Sequence, residues 1–178
     1  SGADTFDDGL IHDVDFTLFG TSLVQDSMGG APTTVNMRSG SDATGGVLEV
    51  EDSSVLNVFT GAVVDSPDYF FTSSGAICGG SIEQLLMNGA PVVEVNGGTF
   101  ISGPAAPLRL VSGTLTVQGG SFENTGSGTV VALELSSGVA EIRGGTLVHG
   151  IVRLGGTAQA TISGGSYGSN AIQNLLGG

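Results

Sequence analysis

Five aspartates crowd the first fifteen residues and are the side chains best suited to metal chemistry. They are Asp4, Asp7, Asp8, Asp13 and Asp15. Calcium takes about six to eight oxygen ligands, and closely spaced carboxylates in a glycine-containing loop can supply several of them. The spacing fits neither an EF-hand loop nor a repeating Gly-Gly-x-Gly-x-Asp calcium motif. The cluster therefore predicts either a calcium site or a solvated patch of surface charge.

Histidine and cysteine are too few for a conventional metal or redox site. His12 and His149 are the only histidines and lie far apart, so we expect each at the surface or in a loop. Cys78 is the single cysteine, which excludes an intrachain disulfide and a cysteine-based zinc site. The register directs Cys78 outward. We expect a small, buried or half-buried thiol, with a disulfide between chains as the alternative.

A repeat in the second half of the chain indicates the elements that must position these side chains. Four times a short alternating segment runs into two glycines, then Ser or Thr, then a large apolar residue. The segments are residues 93–100, 115–122, 140–147 and 160–167. Their period of about 20 to 25 residues is typical of solenoids. The repeat predicts stacked coils.

Alternation before each glycine pair separates an inward from an outward side, with Val93 and Val95 facing in and Glu94 facing out. A second strand precedes each segment and a weaker third strand follows the glycines. Three short strands per coil predict an all-β, right-handed parallel β-helix. Two apolar columns should fill it: Val95, Val117, Ile142 and Ile162, and Phe100, Phe122, Leu147 and Tyr167.

Coils stacked about 4.8 Å apart would also align outward charges. Opposite charges on adjacent coils are mildly favourable and like charges are destabilising, so the order of signs tests the register. One outward column alternates in sign, and in the other threonine separates the carboxylates. These columns are Arg109, Glu134 and Arg153, and Glu94, Thr116, Glu141 and Thr161. Both support the predicted register.

The same register sets Glu94 and Glu141 two coils apart, at about 9.6 Å. That separation suits the paired carboxylates of an inverting glycosidase. An outward ladder on a solvated face is the alternative, and we favour it. The chain has no lysine, and its arginines are separated along the helix, which equips it poorly to hold an anionic sugar.

Charge and composition exclude several classes of protein. The formal charge is −13, with 17 acidic residues, four arginines and no lysine. Nucleic acids and anionic membrane surfaces are therefore not expected as partners, because both are recognised mainly through Lys and Arg. Hydrophobic residues make up 39% of the chain, which favours a folded domain. No apolar run approaches the roughly 20 residues of a membrane span, and no signal peptide opens the sequence, so we expect a mature, processed form.

We expect three regions. Residues 1–32 depart from the repeat and are predicted to form an N-terminal cap or assembly segment. Residues 33–168 should form about six coils, with a protruding loop at 65–69. Residues 169–178 form a short apolar tail.

Two of the repeats carry a resemblance to known proteins. Ile162-Ser163-Gly164-Gly165-Ser166-Tyr167 and Val95-Asn96-Gly97-Gly98-Thr99-Phe100 resemble the repeats of bacterial extracellular β-helix proteins. These include autotransporter passengers, adhesin-like surface proteins and glycine-rich surface proteins of planctomycetes. The resemblance covers about residues 45–168. It implies a surface, adhesive or structural role, whereas pectate-lyase-like relatives of the same fold are polysaccharide enzymes.

Together these features predict a non-enzymatic, secreted or surface-exposed structural solenoid without a cofactor, other than the calcium considered above. We expect it to associate with copies of itself, head to tail, into filaments or a surface layer, because an open solenoid end is a template for another chain. The alternative is an adhesin or polysaccharide-degrading β-helix that binds extracellular polysaccharide.

Overall fold

A computed structural model describes residues 21–25, 32–127 and 130–167, and the backbone pairing of short strands at 5–6, 11–14, 17–19 and 172–174. Every strand pairing in this part of the chain is parallel. The same residues include no helix long and apolar enough to span a membrane.

The strands are short and follow one another closely. The first eleven are β1 (Thr5–Phe6), β2 (Ile11–Val14), β3 (Thr17–Phe19), β4 (Ser22–Val24), β5 (Thr34–Met37), β6 (Asp42–Val50), β7 (Val55–Val58), β8 (Val63–Phe71), β9 (Ser74–Ile77), β10 (Ser81–Ile82) and β11 (Leu85–Gly89). The others are β12 (Val92–Val95), β13 (Thr99–Ser102), β14 (Leu108–Leu110), β15 (Thr114–Val117), β16 (Ser121–Asn124), β17 (Val131–Leu135), β18 (Val139–Ile142), β19 (Thr146–His149), β20 (Ile151–Leu154), β21 (Gln159–Ile162) and β22 (Ile172–Asn174).

These strands stack into three faces. Face A precedes the glycine pairs and consists of β2, β5, β7, β9, β12, β15, β18 and β21. Face B follows the glycines and consists of β3, the starts of β6 and β8, β10, β13, β16 and β19. Face C closes each coil and consists of β1, β4, the ends of β6 and β8, β11, β14, β17, β20 and β22. The molecule is a parallel β-solenoid, which confirms the predicted fold class.

The chain makes six full turns from β5 to β21, which agrees with the predicted number of coils. The N-terminal cap is not confirmed, because β2 pairs in parallel with β5, and β3 and β4 pair with β6, as a further coil would. The predicted tail contains β22, whose backbone pairs with β20.

The register within the solenoid is the predicted one. Val117 pairs with Ile142, and Phe100 pairs with Phe122. The rings of Phe100 and Phe122 stack with their centroids 4.8 Å apart. Both rings are fully buried, as are the valines of the inward column on face A. Identical apolar positions on successive coils therefore form a continuous core along the axis.

The two glycines of each pair have different roles. Gly145 has a φ of +95°, a conformation that other residues adopt only with strain. Gly144 has no such angle, but a Cβ there would collide with the backbone carbonyl oxygen of Gln118 in the preceding coil. The first glycine thus permits close approach of the coils, and the second permits the turn. Gly119 and Gly120 repeat this arrangement.

The loop predicted at 65–69 is a strand instead. These residues form the middle of β8, in which Pro67 pairs with Leu48 and Asp68 pairs with Glu49. The Tyr69 side chain is fully buried, and its hydroxyl donates to the carbonyl of Leu56 at 2.9 Å. Burial of the aromatic ring holds the segment in the coil, although Asp, Ser and Pro are typical turn residues.

The corner between face B and face C differs in length from coil to coil. Gly150 alone joins β19 to β20, and residues 83–84 join β10 to β11. Two successive coils have longer connections, at residues 103–107 and 125–130. The described residues of these loops, 103–107, 125–127 and 130, lie next to face C and border the candidate site.

Candidate binding cavity

The predicted calcium ligands fall outside the fully described residues. Asp13 lies in β2, of which only the backbone is described, and no structure is given for the other four aspartates, Asp4, Asp7, Asp8 and Asp15. The calcium site therefore stays a prediction. Among the described side chains, no three His, Cys, Asp or Glu residues are grouped so that they could hold a metal ion.

The other predicted residues occupy separate places. His149 ends β19 on face B and is exposed, whereas His12 lies in β2 on face A near the opposite end. Glu94 and Glu141 share an outward column with Thr116 between them. The Glu141 carboxylate accepts a hydrogen bond from Arg143 at 2.8 Å, on an open part of the surface. Neither carboxylate lines the groove or the cavity described below.

Cys78 is exposed, so the expectation of a buried or half-buried thiol is wrong. It stands at the outward position that begins the glycine corner, where Gly79 has no side chain to cover it. A shallow open groove of about 460 Å³ runs over this corner, bordered by Cys78, Gly80 and Thr99. Beside it, Ser or Thr occupies the same position of face B in five consecutive coils: Ser81, Thr99, Ser121, Thr146 and Ser166.

A ladder of charged side chains runs along the outside of face C. Arg109 pairs in register with Glu134, and Glu134 with Arg153, as the order of charges predicts. The Arg109 Nε lies 3.2 Å from Glu134 Oε2, and the Arg153 Nη1 lies 3.6 Å from Glu134 Oε1. One carboxylate thus lies between two guanidinium groups. The arginines are separated in sequence, but the coil brings two of the four to one site.

The ladder extends further than the sequence indicates. Glu49 pairs with Asp68, Asp68 with Leu86, and Leu86 with Arg109, all on the outward side of face C. The continuity passes through residues 65–69, which are predicted to be a loop but form the middle of β8. The available signal was the alternation of Pro67, Asp68 and Tyr69, with large apolar Tyr69 in phase with Leu48 and Val50 of the preceding coil.

Asp68 is the most perturbed acid of this ladder. Its side chain is almost fully buried, and burial is the main reason that its pKa is raised to about 6. The carboxylate of Glu49 on the adjacent coil raises the pKa further. A hydrogen bond of 2.7 Å from the Ser66 hydroxyl and the positive charge of Arg109 act in the opposite direction. Protonation of Asp68 relieves the repulsion between the two acids.

A cavity of about 300 Å³ opens where the ladder meets the corner loops. Its charged surface is formed by Arg109, Glu134 and Arg153. One wall comes from the first loop at Ala105 and its neighbours, and the second loop contributes Gly126 and Ser127. The site is therefore built from three consecutive coils, and its volume is at the lower end of the range for small-molecule sites.

One buried amide fixes the two loops. Asn124 is 1% exposed, and its Nδ2 donates to the carbonyl oxygens of Ala105 and Val131, each at 2.8 Å. Its Oδ1 accepts from the backbone N–H of Gly126 at 2.8 Å. One backbone group from each loop and one from the start of β17 thus depend on a single side chain. The sequence marks Asn124 only as the residue after a repeat.

The chemistry available in the cavity is the recognition of negative charge. Two guanidinium groups outnumber the single carboxylate between them, and the rest of the lining consists of small Pro, Ala, Val, Gly and Ser residues. Arginine binds carboxylate and phosphate oxygens in its planar fork, and a partly dehydrated setting strengthens such bonds.

Comparison with protein-family models, with curated proteins and with solved structures finds no match for this chain. The class that the coordinates define is the parallel β-solenoid. The resemblance to bacterial surface repeats is thus supported in its implied fold alone.

Proposed function

We propose that the chain is a non-catalytic structural β-solenoid that associates with copies of itself, outside the cell or on its surface. The observation that supports self-association best is the state of β21. Within the described residues this strand pairs only with β18. A strand with one unpaired side is a template for another strand.

The unpaired backbone groups of β21 can be identified. The N–H of Gln159 donates to Gly138 and that of Ser163 donates to Ile142, each at 2.9 Å. In parallel sheets, successive residues bond alternately to the two neighbouring strands. The N–H and C=O groups of Ala160 and Ile162 therefore point away from β18, toward the position of a further coil.

The apolar cross-section near β21 is also incompletely covered. Ala140 and Ile142 are each 1% exposed, whereas Ala160 and Ile162, which pair with them in register, are only partly buried. Leu154 and Tyr167 are partly buried in the same way. Covering these four side chains would add apolar burial to the backbone pairing, at about 25 cal/mol per Å².

We propose that the covering strand is β2 of a second copy. Its own free side complements the free side of β21, since β2 pairs only with β5 among the described strands. Such a contact joins unlike surfaces and does not close on itself, so it repeats into a filament.

Proline substitutions on neighbouring residues test this contact. Ala160→Pro removes an N–H that points away from β18, so the fold should persist while assembly is lost. Thr161→Pro is the matched control, because it removes an N–H on the side that faces β18 and should lower the melting temperature instead. Sedimentation velocity over a concentration series, with and without calcium, measures the mass of the particles.

Two outcomes would contradict the proposal. One is a wild-type particle that stays monomeric at every concentration, with and without calcium. The other is an Ala160→Pro protein that assembles as the wild type does while circular dichroism shows intact strands.

The proposed extracellular or surface location is supported by the acidic, lysine-free composition and by the resemblance of the repeats. Brief protease treatment of intact cells that express the protein, followed by immunoblotting, tests it. We expect the protein to be degraded, or recovered in the medium, while a cytoplasmic marker stays intact. Full protection inside intact cells would contradict the proposed location.

A further inference from the structure

We propose that the cavity on face C binds a small oxyanion, a molecule bearing one carboxylate or one phosphate group. The inference is independent of self-association, because the cavity lies on the side of the solenoid and β21 lies at one end of face A. It rests on the balance of hydrogen-bond donors, on local charge and on the shape of the site.

Donors exceed acceptors around Glu134. Two guanidinium groups carry about ten N–H donors between them, whereas a carboxylate offers two oxygens. Arg109 makes one hydrogen bond to Glu134, and the 3.6 Å separation from Arg153 is too long for a second. The Arg153 Nε is buried without a hydrogen-bond partner among the described residues. A buried donor of this kind favours an added acceptor.

Charge in the cavity is opposite to that of the whole protein. Arg109, Glu134 and Arg153 sum to +1, in a chain of formal charge −13 with four arginines in all. The excess positive charge belongs to the cavity and not to the whole ladder, because Asp68, which acts electrostatically on Arg109, lies two coils away and does not line the cavity. A single anionic group would neutralise this excess.

The shape of the cavity restricts the size of the ligand. Its volume of about 300 Å³ suits a single sugar acid or a phosphate rather than a length of polymer. Ala105, Ala106 and Val130 supply small apolar contacts near the guanidinium groups. Asn124 holds the two loops together, so the site is preformed.

Isothermal titration calorimetry at low ionic strength tests the site with galacturonate, inorganic phosphate and uncharged galactose. We expect saturable binding of at least one anion and none of galactose. Galacturonate alone would identify a sugar acid as the ligand class, and phosphate alone would identify a phosphate group. Binding of both would indicate the oxyanion itself as the recognised feature.

Variants locate the binding. Arg153→Gln should weaken binding at least tenfold, whereas Arg143→Gln, at an exposed ion pair on another part of the surface, should leave it unchanged. Glu134→Gln should tighten binding, since it removes the competing negative charge, and this variant keeps the proposal testable if Arg153→Gln does not fold. Absence of binding by both anions would overturn the inference. Equal loss in the Arg143 and Arg153 variants would also overturn it.

Discussion

At the residue scale, each glycine pair meets two separate requirements. The first glycine leaves room for the carbonyl of the preceding coil, and the second adopts a positive φ. Both requirements recur in every repeat because coils stack in register. This explains why two glycines stand together where a single turn needs one.

Alanine substitutions separate the two requirements. Gly144→Ala should lower the free energy of unfolding by about 3 kcal/mol, because its Cβ meets backbone that cannot move without shifting a coil. Gly45→Ala should cost about 1 kcal/mol, since a Cβ there has open space but a φ of +77°. Urea denaturation at low protein concentration measures both values.

Gly155 is the matched control for these variants. It has neither a positive φ nor any atom within 4 Å of a built Cβ, so Gly155→Ala should change stability by less than about 0.5 kcal/mol. If Gly144→Ala proves as mild as Gly155→Ala, the coils are less tightly stacked than described.

The raised pKa of Asp68 predicts how the free energy of unfolding depends on pH. Its pKa rises from 3.8 to about 6 on folding, so the folded state binds more protons between these values. The tighter binding of this proton by the folded state stabilises the fold below about pH 4, and this stabilisation is lost as the pH rises to about 6. Asp68→Asn keeps an acceptor for Ser66 and removes the buried charge, so it should be more stable than wild type above pH 6.

The expected gain at pH 7.5 is on the order of 1–3 kcal/mol, because one pKa unit corresponds to about 1.4 kcal/mol. The gain should vanish near pH 4, and urea unfolding of both proteins at several pH values measures it. Glu94→Gln, at an exposed carboxylate, is the control. A constant difference between Asp68→Asn and wild type at all pH values would refute this explanation.

At the element scale, the strands repeat but the corner loops do not. The connections at 103–107 and 125–130 are longer than the same corner of the other coils that the structure describes, and their residues Ala105, Gly126 and Val130 help to line the cavity. The contacts of Asn124, rather than a local turn motif, determine how these loops are placed.

Asn124→Ala should release the loops while the coils remain. It leaves the carbonyls of Ala105 and Val131 and the N–H of Gly126 without their partner, which should cost about 2–4 kcal/mol. Hydrogen exchange should accelerate at 103–107 and 125–127 and stay slow in β15 and β18.

Thr125→Ala is the adjacent control for that experiment. Its exposed side chain makes one hydrogen bond, to the carbonyl of Ser102 at 3.0 Å, so we expect little change in exchange or stability. Comparable effects of the two substitutions would show that the loops do not depend on Asn124.

At the scale of the whole molecule, net charge opposes the proposed assembly. Copies of charge −13 repel one another, and the range of this repulsion falls from about 30 Å at 0.01 M salt to about 10 Å at 0.1 M. Apolar and backbone contacts at β21 are screened much less. Assembly should therefore increase with ionic strength, as static light scattering in 10 mM and 300 mM sodium chloride would measure.

The Ala160→Pro protein is the control for this salt series and should scatter as a monomer at both concentrations. Wild-type particles that dissociate in the higher salt would show that ion pairs, rather than strand pairing, hold the copies together.

The sequence by itself determined the repeated part of this protein. Alternation and glycine spacing are local and recur in each coil, so they predicted the pairing of Val117 with Ile142 and of Glu134 with Arg109 and Arg153. The neighbouring coils also restrict the register predicted for any one coil, because a slip of one residue would turn its apolar side chains outward.

Only the tertiary structure decided the features that are not repeated from coil to coil. The buried strand position of Asp68, the exposure of Cys78 and the cavity between two loops all depend on contacts between residues distant in sequence. Asn124 bonds to Ala105 in the preceding coil, and no periodicity records such a contact. A repeat specifies how coils stack. The longer corner loops are not repeated, so their conformation depends on the residues that the stacked coils place next to them.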